Sequence, residues 1–332
     1  ILSGVGVADA LMQPAKTYLQ IVGGFCILNA LIPICSSYLR AFGFSKEPLY
    51  ASIIGNVINF CLNAFFLFVL HKGVAGVATA TVISRIINLV IVVLLGAVLV
   101  KAKQHPERES NRAVMGQIIR IGLPSACETA IYNVSMTLVI RFLNQMDAQG
   151  LNVTARSYTM QITNFSYCVG AALAQANAIM TGWHIGAKEY DACDRGTKKA
   201  AVIGVIVAVI LETVFTLCSG WIMQLFSKDP QMVSLVGKLL AIDIVLEIGR
   251  VTNLVYGQAL KTSGDAVFPV VMGACFMILC SVGGTYLFGI RLGLLAVGAY
   301  IGMTGDECVR AVGMYLRWKS GKWKEKGLVK SR

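Results

Sequence analysis

The sequence contains few charged residues. Lys, Arg, Asp and Glu make up 14% of its 332 residues, whereas ordinary globular domains carry about 25%. Hydrophobic residues make up 56%, and the mean hydropathy is +0.69. This composition argues against the two water-soluble domains that the length alone would predict, and it indicates a chain whose helices lie in a lipid bilayer.

Several enzyme signatures are also missing. No Gly-x-x-x-x-Gly-Lys-Ser/Thr phosphate loop occurs, so nothing predicts an ATP-driven pump. The histidines His71, His105 and His184 lie far apart, and the ten cysteines form no Cys-x-x-Cys pair. We therefore expect no metal site, no cofactor and no enzymatic activity, and we interpret the cysteines as small packing residues.

Long apolar runs dominate the chain instead. A helix needs roughly 20 apolar residues to cross a bilayer, and a span must be helical because lipid offers its backbone no hydrogen-bond partners. None of the runs alternates as the strands of a membrane barrel would. The sequence therefore predicts an all-α membrane protein with nine transmembrane helices, at 16–38, 48–70, 74–100, 118–143, 158–183, 200–223, 233–259, 266–290 and 294–316.

Basic residues are sorted to one side of these spans. They cluster in the turn 40–46, the segment 101–120, the loop 184–199 and the tail from Arg317, whereas the opposite loops carry few. Because cytoplasmic loops carry the excess of Lys and Arg, we predict that the Ile1 end lies outside and the C-terminus in the cytoplasm. This sorting accounts for the net charge of +12 without a nucleic-acid partner.

A turn and its flanking residues occur twice. Repeated sets of spans build many secondary transporters, with the substrate path between the sets. More span-like sequence precedes the turn in the second copy than in the first, and the chain does not begin with Met, so we expect an N-terminally truncated first copy. The matching pairs are Leu39 with Leu260, Gly43 with Gly264, Pro48 with Pro269, then, one residue further apart, Gly76 with Gly298 and Ser84 with Asp306.

Short motifs along the chain carry a family resemblance. They are YLRAFG at 38–43, GVAGVATAT at 73–81, GLPSACE at 122–128, DECVR at 306–310, RW at 317–318 and GKW at 321–323. In this order they resemble the MATE family (multidrug and toxic compound extrusion transporters) over nearly the whole chain. The resemblance implies a two-lobe helical bundle of which nine of twelve transmembrane helices are present.

The same resemblance implies the organisation of the chain. Residues 1–100 would be the remainder of the N-lobe, with three transmembrane helices, and 117–318 the C-lobe, with six. A polar cytoplasmic linker would occupy 101–116, and a basic cytoplasmic tail 319–332.

The resemblance also implies an activity. The protein would be a cation-coupled antiporter, driven by H⁺ or Na⁺, that exports organic cations or drugs by alternating access, as a monomer in the plasma membrane. A lipid-linked oligosaccharide flippase of the same superfamily is an alternative, and it would need several cationic residues facing a wide cavity. A membrane scaffold or channel without coupled transport is another, and it would not need carboxylates at membrane depth.

Charged residues within spans are the candidate coupling groups, because charge at membrane depth costs roughly 2.5–3.5 kcal/mol. Glu128 lies four residues after a proline, which frees backbone groups there, and it would either bind a cation or form a structural pair. Glu247 and Arg250 share a helical face, as do Asp306 and Arg310. For both pairs a structural ion pair and a functional role remain open. The coupling-ion candidates are therefore Glu128, Glu247 and Asp306, with Arg250 and Arg310 as partners.

Polar and aromatic residues on two neighbouring spans are the candidate lining of a substrate cavity. The faces of aromatic rings attract organic cations, and three of these residues follow one another at helical spacing. The candidates are Tyr132, Asn133, Tyr158, Gln161 and Asn164.

Overall fold

The computed structural model describes residues 9–101, 111–147 and 150–326. Parts of the predicted linker, 101–116, and of the predicted tail, 319–332, lie outside these residues. The chain forms two compact units, Ile1–Arg108 and Glu109–Arg332.

The first unit is a small helical bundle in which α4 packs against the other three helices. Helices α1 and α2 are bent by 42° at a short break, so that they form one broken span. Leu39, Ala51 and Val92 are buried where α2, α3 and α4 meet. The helices are α1 (Asp9–Gly24), α2 (Ile27–Ala41), α3 (Lys46–Ala64), with a π-helical end at Phe65–Val69, and α4 (Gly73–Lys101).

The second unit is a larger bundle built around α9, which packs against α6, α7 and α11, while α5 packs against α10. A cap fixes the start of α9: Asp229 accepts the Gln231 N–H at 3.0 Å, with Pro230 at the first helical position. The helices are α5 (Asn111–Met146), α6 (Leu151–Gly186), α7 (Tyr190–Leu217), α8 (Ser219–Met223), α9 (Pro230–Thr262), α10 (Val267–Phe276), with π-helical segments at Met277–Val282 and Thr285–Arg291, and α11 (Leu295–Lys319), followed by a 3₁₀ helix at Lys322–Lys326.

Within the described ranges, helices occupy all nine predicted spans if α1 and α2 count as one. By length and apolarity alone, four of them can cross a membrane, namely α3, α4, α7 and α10, or five with the bent pair. Helices α5, α6, α9 and α11 are not among these, and they carry the charged residues that line a cavity inside the second unit. The all-α fold class predicted from the sequence is confirmed.

The repeat is visible in the backbone. Gly43, after α2, and Gly264, after α9, have φ angles of +89° and +91°, in the left-handed region that favours glycine. The residue after each glycine donates its N–H to the carbonyl of Leu39 or Leu260, at 3.0 and 2.9 Å. Both leucines are fully buried. The two helices therefore end in the same glycine-dependent C-terminal motif.

The next turns correspond as well. Both α3 and α10 end in π-helical segments, and the following helices approach them through a glycine. A methyl group on Gly76 would lie 2.8 Å from the Cβ atom of Phe66, and one on Gly298 would overlap the backbone of Phe288. Only glycine allows the helices to approach this closely.

One extra residue separates the two copies, and α10 accommodates it. The segment Met277–Val282 is π-helical, whereas the equivalent part of α3 is α-helical. A π-helical turn closes from residue i to i+5 and so takes up one more residue than an α-helical turn. Hydrogen bonds at equivalent positions join both copies to the following helix. Asn59 Nδ2 lies 3.1 Å from Ser84 Oγ, and Ser281 Oγ, within the π-helical segment, lies 3.0 Å from Asp306 Oδ2. The second bond places Asp306 against α10.

Candidate functional site

A cavity of about 440 Å³ lies inside the second unit. Helices α5, α6, α9, α10 and α11 surround it, and its lining mixes charged residues with tyrosines and methionines. Its volume falls in the range of small-molecule sites, roughly 300–1,000 Å³.

Glu128 on α5 lies at the edge of this cavity and is paired with Lys261, near the end of α9. The Lys261 Nζ atom is 2.6 Å from the Glu128 Oε2 atom, and both side chains are largely buried. In the sequence, Lys261 lies directly after Leu260 of the repeated turn. The structure brings its ammonium group to the cavity, because the long aliphatic stem reaches from the helix end. Glu128 is therefore already neutralised by a cation.

The remaining coupling candidates belong to one chain of alternating charges between α9 and α11. Arg250 Nη1 lies 2.7 Å from Glu247 Oε2, and Arg250 Nε lies 3.9 Å from Glu307 Oε1. Arg310 binds Glu307 at 2.9 Å and both oxygens of Asp306 at 2.8 and 3.0 Å. Glu247 is fully buried beside the cavity, and the other four residues line it.

Neutral side chains extend this network. Asn253 Nδ2 donates to Glu307 Oε2 at 3.0 Å, in addition to the bond from Ser281 to Asp306. Glu307 entered the sequence analysis only within the motif DECVR and not as a coupling candidate, and Asn253 and the nearby Asp243 were not singled out. A signal was available for Asp243, since it shares one helical face with Glu247 and Arg250, one and two turns further along.

Carboxylates outnumber cations in this group. In this network of described residues, Asp243, Glu247, Asp306 and Glu307 are accompanied by two guanidinium groups, those of Arg250 and Arg310. With Glu128, Lys261 and Arg156 included, five carboxylates stand against four cations around the cavity. Asp243 is 2% exposed, and its Oδ2 atom, like Oε1 of Glu247, has no hydrogen-bond partner among the described residues. Because a buried charge is costly unless it is compensated, the arrangement favours the uptake of a further cation.

Two of the predicted cavity residues line the cavity, namely Tyr132 on α5 and Asn164 on α6. Three others point elsewhere. Asn133 donates back to a carbonyl of its own helix, Tyr158 packs its ring against Phe226, and Gln161 is exposed.

The cavity-facing side of α6 explains this result. It is formed by residues 156, 160, 163, 164 and 167, which follow the spacing of one α-helical face. Tyr158 and Gln161 fall off that face. The three-residue steps of the sequence analysis drift around a helix of 3.6 residues per turn.

Arg156, near the start of α6, also lines the cavity. The helix is anchored just before it: one turn earlier, the Asn152 Oδ1 atom accepts the Ala296 N–H at 3.1 Å and so ties α6 to α11. The Arg156 side chain is 7% exposed, and its Nη2 atom lies 3.6 Å from the Met136 Sδ atom. The packed bundle therefore holds this guanidinium group against a thioether.

A second charged cluster ties down the end of α11. Asp265, in the turn after α9, accepts hydrogen bonds from Arg317 and Lys326, each at 2.7 Å. Burial alone would raise the pKa of Asp265, but these two cations outweigh it and hold the pKa below its ordinary value. Trp323 of the 3₁₀ helix stacks on Trp318 with ring centres 4.2 Å apart. The start of the predicted tail is therefore packed onto the bundle.

Comparisons with known proteins agree with this architecture. The family model MatE matches residues 1–65 and 124–287. The chain is 34% identical to the Uncharacterized transporter YisQ of Bacillus subtilis (strain 168), over 99% of this chain and 73% of that protein. It is 22% identical to the Probable multidrug resistance protein NorM of Thermotoga maritima, over 95% of this chain and 68% of that protein.

Solved structures share the fold. The eukaryotic MATE transporter AtDTX14 superposes with a TM-score of 0.85 at 18% identity, over 98% of this chain and 73% of that one. A MATE protein in its straight conformation gives 0.80 at 19% identity, over 97% and 73%. Members of the family are membrane transporters and not enzymes. A family model that matches most of the chain and a relative of this identity together show that the chain belongs to the MATE family of transporters.

Proposed function

We propose that the protein is an antiporter that couples the inward movement of H⁺ or Na⁺ to the export of organic cations across the plasma membrane. The observation that carries the proposal is the excess of carboxylates around the cavity. Among the described residues, Glu128, Asp243, Glu247, Asp306 and Glu307 outnumber by one the cations Arg156, Arg250, Lys261 and Arg310. Relatives named as multidrug resistance proteins support drug-like substrates.

The same carboxylates serve both ligands in turn. A coupling cation that enters the cavity compensates the excess negative charge. It displaces a bound organic cation, because the two cations compete for the same carboxylates. Tyr132 and Tyr167 offer aromatic faces to the organic cation. Exclusion of one cation by the other is the requirement for exchange, and alternating access then carries each ligand in its own direction.

The alternatives are less well supported. A flippase for lipid-linked oligosaccharides needs several free cations for the diphosphate. Of the four cations that line the cavity in the described part of the chain, Arg250, Arg310 and Lys261 are engaged by carboxylates, and a single guanidinium group, that of Arg156, is not. A scaffold or channel without coupling gains nothing from uncompensated carboxylates at depth. We also propose that the protein acts as a monomer. The distribution of basic residues supports a C-terminus in the cytoplasm.

Variants of the complete transporter, reconstituted in vesicles, test the proposal. We expect Glu247→Gln and Asp306→Asn to lose efflux of a fluorescent organic cation driven by an inward H⁺ or Na⁺ gradient, while each still folds, because both keep the side-chain shape and remove one charge. Thermal unfolding in detergent checks the fold. Normal gradient-driven efflux in both variants would remove the carboxylate network from the mechanism.

Glu128 needs a separate design because Lys261 neutralises it. Glu128→Gln leaves the Lys261 ammonium unpaired at the cavity, so loss of efflux alone has two explanations. The double variant Glu128→Gln/Lys261→Gln separates them. If Glu128 takes part in coupling, the double variant stays inactive, whereas recovery of efflux would reduce Glu128 to a structural partner of Lys261.

A further inference from the structure

Arg156 is a buried guanidinium group without an ion pair among the described residues. It is 7% exposed, its Nε atom has no hydrogen-bond partner there, and Nη2 contacts the thioether sulfur of Met136 at 3.6 Å. A thioether is a weak acceptor, and an arginine remains charged in proteins. A buried charge is costly unless it is paired, so this group is poised for an acceptor.

The other cations of the cavity are already engaged. Within the described part of the chain, Arg250, Arg310 and Lys261 each lie within 4.0 Å of at least one carboxylate oxygen. Arg156 differs from them in having no such partner there. The guanidinium plane offers a fork of donors that matches a carboxylate.

The surroundings strengthen any charge pair formed at this position. Met136, Met160, Leu246 and Met303 line the same cavity, and an apolar wall lowers the local dielectric and strengthens an ionic contact. Methionine side chains also adapt to ligands of different shape. The wall therefore suits the apolar body of an organic ligand whose anionic group lies at Arg156.

An acidic residue without a full set of partners lines the same cavity. Asp243, on α9, has an Oδ2 atom without a hydrogen-bond partner among the residues that the structure describes, and no ion pair joins it to Arg156. The cavity thus presents one anion and one cation that do not neutralise each other. A ligand with both an ammonium and a carboxylate group complements this arrangement better than a simple cation does.

We propose that Arg156 is an anion-binding subsite of the cavity and that the preferred transported compounds are amphiphilic zwitterions whose carboxylate binds its guanidinium group. This inference rests on the proposed function and narrows its substrate class. The ammonium group competes with the coupling cation for the carboxylates, while the anionic group anchors the compound at α6.

A matched pair of dyes tests the subsite. Rhodamine B carries a free carboxylate, and its ethyl ester has the same cationic body without one. We would measure binding of both by fluorescence polarisation to the complete transporter in phosphatidylcholine nanodiscs, without any ion gradient. We expect the wild type to bind the acid about tenfold more tightly than the ester, as a charge-assisted hydrogen-bond pair in a buried site predicts.

Variants of Arg156 test whether this residue causes the tighter binding of the acid. Arg156→Gln should bind acid and ester equally, and Arg156→Lys should keep part of the preference because it retains the charge without the fork. Arg141→Gln is the matched control, since Arg141 is on α5, exposed and away from the cavity, and it should keep the full preference. An unchanged preference in Arg156→Gln, or none in the wild type, overturns the proposal.

A competition experiment on the wild type guards against a variant that fails to fold. Benzoate should weaken the binding of rhodamine B but not of its ester, and benzyl alcohol should affect neither. Equal effects of benzoate on the two dyes contradict the subsite. Gradient-independent efflux together with a preserved acid preference would instead contradict the proposed coupling and leave the subsite intact.

Discussion

At the scale of single residues, Asp265 has the clearest dependence on pH. Its carboxylate is fully buried and accepts bonds from Arg317 and Lys326, which hold its pKa below the ordinary value of 3.8 although burial acts in the opposite direction. A carboxylate with a lowered pKa in the folded state stabilises that state above its unfolded pKa. The contribution is lost as the pH falls through the folded pKa.

We therefore expect Asp265→Asn to lower the stability of the protein by about 2 kcal/mol at neutral pH, from the loss of charged hydrogen bonds. The difference from the wild type should begin to shrink below about pH 4, where the carboxylate of the unfolded chain takes up a proton. It should be lost as the pH falls through the lower pKa of the folded state. Thermal unfolding in detergent at several pH values measures it. Asp229→Asn is the control, because asparagine caps a helix as well as aspartate. A difference that does not vary with pH would assign the effect to packing alone.

The sequence identified charged residues more reliably than it identified their partners. Helical spacing was sufficient for Glu247 with Arg250 and for Asp306 with Arg310, which are local pairs. The pairing of Glu128 with Lys261 depends on how α5 and α9 pack, and no spacing within one helix encodes it. The sequence does not distinguish Arg156 from the other basic residues. Its lack of a carboxylate partner among the described residues results from the way in which the helices pack.

At the scale of helices, the contact between α10 and α11 depends on glycines at matching positions. Gly298 and Gly302 lie one turn apart on α11 and approach α10 at Gly289 and Gly284. Small residues at this spacing let helix backbones approach closely in membranes. The close contact also carries the bond from Ser281 to Asp306 and so keeps the charge network in place.

Gly298→Ala should therefore destabilise the protein by about 1–3 kcal/mol, because its methyl group overlaps the backbone of α10 and the helices must separate. Gly305→Ala on the same helix is the matched control. Among the described residues nothing lies within 4 Å of a methyl group there, and alanine is the better helix former by up to about 1 kcal/mol. Thermal unfolding of both variants compares them, and equal stability would show that the helices do not depend on this contact.

At the scale of the whole molecule, the two copies share geometry but not chemistry. The turns at Gly43 and Gly264 have the same hydrogen bonds, as the sequence repeat predicts. The charged residues Asp306, Glu307 and Arg310, in contrast, correspond to Ser84, Arg85 and Asn88 in the first copy. The acidic excess is therefore a property of the second unit, and the repeat alone could not have located it.

Hydropathy and the sorting of basic residues were sufficient to predict an all-helical membrane protein and the positions of its spans. A bilayer requires spans that are apolar helices, and basic residues collect in the cytoplasmic loops. These two patterns could not reveal which faces of α5, α6, α9 and α11 meet at a cavity. Those four helices carry its charged residues, and they are not among the helices that can cross a membrane by length and apolarity alone.

The central claim is that a cation and the substrate exclude each other at the carboxylates of the second unit. Countertransport by the complete wild-type transporter in vesicles tests it most directly. A gradient of a zwitterionic dye, imposed without any ion gradient, should drive H⁺ or Na⁺ in the opposite direction, and Glu247→Gln should abolish that movement. Dye movement without opposing ion flux, or with ion flux in the same direction, would contradict the account.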